Sequence, residues 1–170
     1  IDEILSAIVE NGTQVTHFDL KRCAISDASV LVLAQNCSQL THLDVTGCNS
    51  IGDISLIAIS QHCKMLTSLY VGKIPYVLWS NHVRVWRGLN YSISNDGVMA
   101  IAQNCSHLEH LNLHGCINIT DDSLTVVAQR CTRLTHLDLT GCFNYTNVSV
   151  LSIAQRIMPQ LIHLYLSLNF

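Results

Sequence analysis

Histidine and cysteine are the residues of this chain whose chemistry stands out, with nine histidines and eight cysteines among 170 residues. Some histidines precede an aspartate by two positions, as His42 precedes Asp44 and His136 precedes Asp138. Such pairs could act in acid–base catalysis or bind a metal ion. However, no serine or cysteine nucleophile is positioned by a recognisable motif, and nothing selects a closed set of metal ligands. We therefore predict no catalytic residues, no metal site and no cofactor.

The cysteines have two competing explanations. Disulfide bonds in a secreted protein would agree with the Asn-x-Ser/Thr sequons, two of which begin at Asn36 and Asn104. Alternatively, the cysteines are reduced thiols inside the fold, where a thiol behaves as a small apolar group. The C-x-x-C spacing typical of zinc sites does not occur in the sequence. The choice between the two depends on the architecture that positions the cysteines.

A repeated segment of about 26 residues sets that architecture. The sequences LTHLDVTGC from Leu40 and LTHLDLTGC from Leu134 share one frame. The frame begins along the chain near residues 15, 40, 66, 108, 134 and 161. Its L-x-x-L-x-L alternation predicts a short strand with one buried face. The apolar residues that follow the strand have helical spacing, as in Leu124, Val127 and Ala128.

Each unit should therefore contain one strand and one helix, with Ser94 and Thr120 among the predicted N-cap residues. A unit of this size cannot bury a core by itself, but stacked units can. The usual handedness of parallel crossovers predicts a right-handed α/β horseshoe, with a parallel sheet on the concave face and helices on the convex face. We expect residues 1–170 to form a single solenoid fragment of about six repeats.

The frame C-x-x-L-x-x-L-x-L-x-G-C resembles the cysteine-containing leucine-rich repeat (LRR) of F-box/LRR-type proteins, whose solenoid is similar to ribonuclease inhibitor. The resemblance covers most of the chain and implies a protein–protein interaction module that is not an enzyme. It most directly implies the substrate-recognition region of an F-box adaptor in an SCF-type ubiquitin ligase, acting in ubiquitin-dependent protein catabolism. A region outside this chain would then bind the ligase adaptor subunit. Two alternatives stay open: an LRR scaffold or regulatory protein without an F-box, and a fragment of an extracellular LRR receptor.

The repeat frame favours thiols over disulfides, because the position that ends the strand motif takes Asn90 or Asn169 as well as cysteine. A bridged cysteine could not be exchanged with asparagine so simply, although disulfides and a metal remain as alternatives. Reduced thiols imply a cytoplasmic or nuclear protein. The predicted structural thiols are Cys23, Cys37, Cys48, Cys63, Cys105, Cys116, Cys131 and Cys142.

Alternation along the strands predicts which side chains lie on the concave face. The candidate protein-binding residues of that face are His17, Asp19, His42, Asp44, Tyr70, His110, Asn112, His114, His136, Asp138, His163 and Tyr165. Repetition of Thr-His-Leu-Asp has a second explanation, which is packing between duplicated units. Both explanations stay open, and a partner protein is the predicted ligand in the first.

Residues 72–87 interrupt the third repeat directly after its strand. Their aromatic and basic residues, Tyr76, Trp79, Arg84 and Trp86, have the composition of an interface hot spot on a loop. The segment could equally be an unselected insertion, such as a retained intron in a gene model, because its removal restores the repeat frame.

Charge and hydropathy exclude two classes of partner. The net charge is −3 with nine Lys and Arg residues, which argues against nucleic acid binding. No apolar run is long enough to span a membrane, and we expect no membrane partner. The chain begins at Ile1 without a signal segment, which favours a fragment of a longer protein.

Overall fold

Short strands and ten-residue helices alternate along the chain. The computed structural model describes residues 7–9, 14–73, 76–80, 83–87 and 90–166. The strands are β1 (His17–Asp19), β2 (His42–Asp44), β3 (Ser68–Tyr70), β4 (Tyr76–Ser80), β5 (Val83–Arg87), β6 (Asn90–Ser94), β7 (His110–Asn112), β8 (Cys116–Asn118), β9 (His136–Leu139) and β10 (His163–Leu166). The helices that follow residues 7–9 are α1 (Asp27–Asn36), α2 (Asp53–His62), α3 (Asn95–Asn104), α4 (Asp121–Arg130) and α5 (Asn147–Arg156).

The main sheet has six strands in the order β1-β2-β3-β7-β9-β10, and all its neighbouring strands are parallel. Successive strands of this sheet are therefore neighbours in space, and a helix lies between each pair in sequence. Each helix packs against the helix of the next repeat. The predicted fold class, a parallel sheet with alternating helices as in an α/β horseshoe, is confirmed.

Apolar side chains from the strands and helices form a continuous core between the two layers. In α4, the predicted inner-face residues Leu124, Val127 and Ala128 are completely buried. The strand residues Leu43 and Leu137 are also completely buried, as the alternation predicted. Each such leucine contributes about 1.5–3 kcal/mol relative to an exposed one. The hydrophobic effect across repeats thus holds the layers together.

Two of the N-cap residues that the sequence predicted cap helices in the structure. Ser94 and Thr120 accept backbone hydrogen bonds two residues later, from Asp96 and Asp122, and so cap α3 and α4. Thr146 caps α5 in the same way. Among the described residues, no helix combines the length and the apolar character needed to cross a lipid bilayer.

The turns after β1, β2, β7 and β9 each contain a residue with a left-handed backbone. Gly47, Gly115 and Gly141 have φ angles of 78°, 74° and 75° there, and Arg22 occupies the same position with φ of 56°. Adjacent turns also approach closely, since a Cβ on Gly141 would lie 3.1 Å from the Cα of Gly115. Glycine suits this position because of its backbone freedom and its small size, whereas Arg22 adopts a conformation that is unfavourable for a side chain.

Two further strand pairs lie outside the main sheet. After the third repeat, β6 pairs in parallel with β8, forming a small second sheet that the sequence did not predict. Within residues 72–87, β4 and β5 pair antiparallel. The predicted loop is therefore a pair of strands in the structure, and its β-branched and aromatic residues are typical of strands.

Candidate functional site

The sheet face is the surface formed by the strand side chains that point away from the helices. The parallel register aligns these side chains into rows across the strands. The first row contains His17, His42, Ser68, His110, His136 and His163. The second row contains Asp19, Asp44, Tyr70, Asn112, Asp138 and Tyr165. This register places equivalent residues of successive repeats beside one another.

Exposure differs among the twelve candidate residues of the sheet face. His17, Asp19, His163 and Tyr165 are exposed. Seven others are half-buried: His42, Tyr70, His110, Asn112, His114, His136 and Asp138. Partial burial in a rigid sheet leaves these side chains accessible while limiting their mobility.

Asp44 does not fit the prediction of an accessible residue, because only 4% of it is exposed. Its carboxylate accepts from the backbone N–H of Thr46 at 2.9 Å. The Lys21 ammonium lies 3.2 Å from Asp44 Oδ2 and 3.1 Å from Asp19 Oδ2, so the lysine side chain covers Asp44. Strand alternation correctly gave the direction of this side chain, but Lys21 in the turn after the preceding strand, β1, hides it from solvent.

The histidine row forms stacks of imidazole rings. The rings of His110 and His136 are stacked and nearly parallel, with an interplanar angle of 8° and centroids 4.1 Å apart. The His163 ring lies 4.6 Å from that of His136 and is tilted by 37° to it. Burial, followed by the charges of its neighbours His110 and His163, lowers the pKa of His136 below 6.5. The lowered pKa favours the neutral form of the His136 ring, and neutral rings can stack closely.

A hydrogen bond network fixes the orientation of the His136 ring. The Thr135 hydroxyl donates to the carbonyl oxygen of Glu109 at 3.0 Å and lies 2.8 Å from His136 Nδ1. Because the hydroxyl hydrogen is already used, its oxygen accepts from Nδ1–H of the imidazole. The neutral ring then keeps Nε2 as its hydrogen bond acceptor.

The aspartates and asparagine of the second row also support the turn that follows each strand. Each accepts a hydrogen bond from the backbone N–H two residues later, at 2.9 to 3.3 Å. The residues that do so are Asp19, Asp44, Asn112 and Asp138. This geometry favours the structural explanation for why this residue type is repeated. Tyr70 and Tyr165 are exceptions in this row, because a tyrosine has no carboxylate or amide with which to make this bond.

Asp138 lies near the middle of the polar part of the sheet face. Asn112 Nδ2 donates to its Oδ2 at 3.0 Å, and His114 Nδ1 lies 3.7 Å from the same oxygen. Burial alone would raise the pKa of Asp138, but hydrogen bonds from His114 and Thr140 outweigh it and lower the pKa. Asp138 therefore stays ionised at physiological pH.

The cysteines carry unbridged thiols, and seven of the eight are buried. Cys48 and Cys142 donate to carbonyl oxygens of the preceding repeat at 3.0 and 3.1 Å. Burial raises the pKa of Cys63 to about 12. The residues of the two ladders are Cys23, Cys48, Cys116 and Cys142 after the strands, and Cys37, Cys63, Cys105 and Cys131 after the helices. Cys23 is the one cysteine of the eight that is only partly buried.

Asn90 takes the position of a ladder cysteine, as predicted. It is 1% exposed, donates to the carbonyl oxygen of Val71 at 3.5 Å and accepts from the N–H groups of Ser92 and Ile93. Asn90 thus stabilises the turn of its own repeat, whereas the thiols of Cys48 and Cys142 donate to the preceding repeat. Asn169 lies outside the described residues.

The aromatic and basic residues of the inserted segment lie on its paired strands. The register places Trp79 opposite Arg84 and aligns Tyr76 with Arg87 and Val77 with Trp86. The structure describes the backbone of these residues, and their side chains lie outside what it describes. Their role in binding therefore stays a prediction.

Polar contacts between helices are the feature that the sequence analysis missed. The first residue of each helix from α1 to α4 hydrogen-bonds to the cap of the next helix. Asp27 accepts from Gly52 and Ser55, and Asp53 accepts from Ser94. The residues that make these contacts are Asp27, Asp53, Asn95 and Asp121. Their signal was visible as an Asp or Asn recurring at the first position of each helix.

The chemistry of the sheet face follows from the groups that it presents. Within the described ranges, no cluster of three or more His, Cys, Asp or Glu residues could hold a metal ion. Thiols with a raised pKa are poor nucleophiles because the thiolate is the reactive form. Stacked imidazoles, phenols and an ionised carboxylate instead offer hydrogen bonds and aromatic surface to a ligand.

Comparison with known proteins agrees with the architecture. Residues 36–60 and 104–128 match the family model described as "Leucine Rich repeat". The chain is similar to the structure of leiomodin-1 actin-binding site 2, with 17% identity, a TM-score of 0.58, and coverage of 93% of this chain and 89% of that one. It is also similar to the tropomodulin C-terminal domain of Caenorhabditis elegans, with 9% identity, a TM-score of 0.61, and coverage of 92% and 90%. No curated protein matches the sequence. The chain thus contains a leucine-rich-repeat region folded as an α/β horseshoe.

Proposed function

We propose that this chain is a protein–protein interaction module that holds a partner on its sheet face and catalyses no reaction. The observation that carries the proposal is the pair of aligned rows across six parallel strands. Stacking and backbone hydrogen bonds hold these side chains in place before a partner arrives. Because little side-chain entropy is then lost on association, such a surface is well suited to binding.

The size of the face indicates that neighbouring surface also takes part. Six strands about 4.8 Å apart span about 24 Å, and the strand residues cover about 13 Å, which gives roughly 300 Å². A stable interface buries about 800 Å² on each partner. The inserted segment follows β3, the third strand of the sheet, and so leaves near its middle. We propose that residues 72–87 extend the interface.

The resemblance to F-box/LRR-type proteins supplies the finer proposal. The partner would be a substrate protein, and a region outside this chain would bind the ubiquitin ligase. The buried, unbridged thiols favour the cytoplasm or nucleus over an oxidising extracellular space. Without an F-box elsewhere in the protein, the same face would serve a scaffold or regulatory role.

Site-specific photo-crosslinking tests the proposed face. Benzoylphenylalanine replaces Tyr165, which is 54% exposed on the sheet face, or Gln129, which is exposed on α4. We expect the same protein adduct in repeated cell extracts from position 165 and none from position 129. The combined substitution His136→Ala and Asp138→Asn should reduce the adduct, whereas Gln129→Ala should not. Adducts from the helix side alone would overturn the proposal.

The ligase role has its own test. The full-length protein should co-purify with cullin-RING ligase subunits, and ubiquitination of the crosslinked partner should depend on it. A partner that binds without either result would support the scaffold alternative.

A further inference from the structure

A depression of about 120 Å³ lies on the sheet face over β3, β7, β9 and β10. Tyr70 borders it on one side and Tyr165 on the other, with Asn112 and Asp138 between them in the same row. The stacked rings of His110 and His136 form a third wall. The depression is thus bounded by aromatic rings and contains one carboxylate.

The charge of the depression is negative at physiological pH. Asp138 is ionised, and 20% of its side chain is exposed to solvent. Among the ion pairs of the described residues, it is matched only with His114, at 3.7 Å. Lys21 pairs with Asp19 and Asp44 at the other end of the sheet. The carboxylate therefore lacks a permanent cation where the structure describes its surroundings.

The other titratable groups around the depression carry no permanent positive charge. The groups that face it from the neighbouring elements are Tyr70 on β3, His110 on β7, His114 in the following turn, and His163 and Tyr165 on β10. A phenol is neutral, and an imidazole has an ordinary pKa of about 6.5. An imidazole gains a positive charge only when it is protonated, and a phenol gains none.

We propose that this depression receives one cationic side chain, that of an arginine, from the partner protein. This inference rests on the proposed function of the sheet face and names the chemistry that the face recognises. A planar guanidinium stacks on aromatic rings and donates charge-assisted hydrogen bonds to a carboxylate. His136 Nε2 offers a further acceptor at the wall, since Nδ1–H is held by Thr135. An acidic side chain would instead meet the Asp138 carboxylate.

The experiment uses small probes and the whole chain. N-acetyl-arginine methylamide, its neutral citrulline analogue and N-acetyl-glutamate methylamide are titrated at millimolar concentrations, with NMR of the imidazole and Asn112 amide signals. We expect the arginine probe to shift the signals of His110, His136 and Asn112 and the other two probes to leave them unchanged. Equal shifts with citrulline, stronger shifts with glutamate, or no shifts with arginine would each overturn the proposal.

Substitutions assign the binding to the carboxylate. Asp138→Asn should weaken arginine binding at least about tenfold, because a charge-assisted hydrogen bond is lost. Asp138→Asn should still fold, since Asn112 makes the same turn bond on the adjacent strand. The exchange variant, Asn112→Asp with Asp138→Asn, keeps one carboxylate in the depression and should restore binding. Asp96→Asn, an exposed carboxylate on α3, is the matched control and should have no effect.

The pH dependence of arginine binding provides the last test. Lowering the pH from about 7.5 to about 5.5 should release the arginine probe, because protonated imidazoles then repel it. Binding that strengthens in acid would contradict the inference. If position 165 crosslinks a partner but no probe binds, only this inference fails. If the arginine probe binds but position 165 forms no adduct, the cation site stands and the proposed function fails.

Discussion

Asp121 offers a test of whether the polar contacts between helices stabilise the repeat array. Its carboxylate accepts from the backbone N–H of Thr146 at 2.9 Å, from the Thr146 hydroxyl at 2.5 Å and from the N–H of Ser149 at 3.2 Å. Burial alone would raise the pKa of Asp121. Hydrogen bonds from Ser149 and Thr146 outweigh it and lower the pKa from 3.8 to about 2.

This pKa shift sets the sign and size of the expected effect. A carboxyl group with a lower pKa in the folded chain stabilises the fold above its unfolded pKa, and this stability is lost as the pH falls through the folded pKa. The shift from 3.8 to about 2 corresponds to at most about 2.4 kcal/mol. Solvent screening of a partly exposed carboxylate reduces this to about 1 kcal/mol. Between about pH 4 and about pH 2, the wild-type protein should thus lose about 1 kcal/mol more than Asp121→Asn.

The chain supplies a reference for the Asp121→Asn substitution. Asn95 occupies the same position in α3, donates to the Thr120 hydroxyl at 2.7 Å and accepts from the Thr120 N–H at 3.0 Å. Asp121→Asn should therefore fold and keep part of the contact, whereas Asp121→Ala loses all of it and should be less stable at neutral pH. The assay is urea unfolding by circular dichroism across the pH range, with exposed Asp122→Asn as the control. Parallel pH profiles for wild type and Asp121→Asn would refute the reasoning.

Three other predictions concern the turns, the thiols and the histidine row. Arg22→Gly should raise the free energy of unfolding by about 0.5–1 kcal/mol, because glycine adopts the left-handed backbone without strain. Gly141→Ala should lower the free energy of unfolding by about 2 kcal/mol. Urea unfolding measures both changes, and a less stable Arg22→Gly variant would contradict this explanation. In native protein, iodoacetamide should modify Cys23 first and spare the buried thiols whose pKa is about 11 or 12. Mass spectrometry measures the order of modification, and equal labelling rates for buried thiols and Cys23 would contradict this prediction. Proton NMR should show that His136 titrates below pH 6.5, because burial and then the charges of His110 and His163 disfavour its charged form. His110→Gln should raise the pKa of His136, and an unchanged pKa would exclude coupling between the two rings.

The sequence predicts the fold and the rows of the sheet face because both follow from strict periodicity. A slip of one residue in any strand would move its leucines to the solvent, so the leucine pattern fixes the register. The alignment of His42 with His17 on one side and with Ser68 on the other is a consequence of that pattern. No side-chain detail is needed for this step.

What the sequence could not predict depends on contacts between particular side chains. Asp44 points to the sheet face as expected, yet the position of the Lys21 ammonium decides that it is covered. Similarly, the recurring Asp at the start of the helices is explained equally well by a cap within one helix. Only the structure shows that Asp121 reaches the helix of the next repeat. The periodicity of the sequence predicts the direction of a side chain, whereas the residues that it contacts depend on the three-dimensional structure.

Repetition also helps to separate structural from functional residues. An Asp or Asn that supports a turn recurs in the second row for reasons of folding, so its recurrence says nothing about a ligand. Tyr70 and Tyr165 break the rule, since the turn would be better supported by an Asp or Asn. Both of these departures border the same depression, with Asp138 between them. We therefore propose that the positions where a repeat gives up its structural residue mark the part of this face that binds a partner, while Asp138 between them serves both the turn and the ligand.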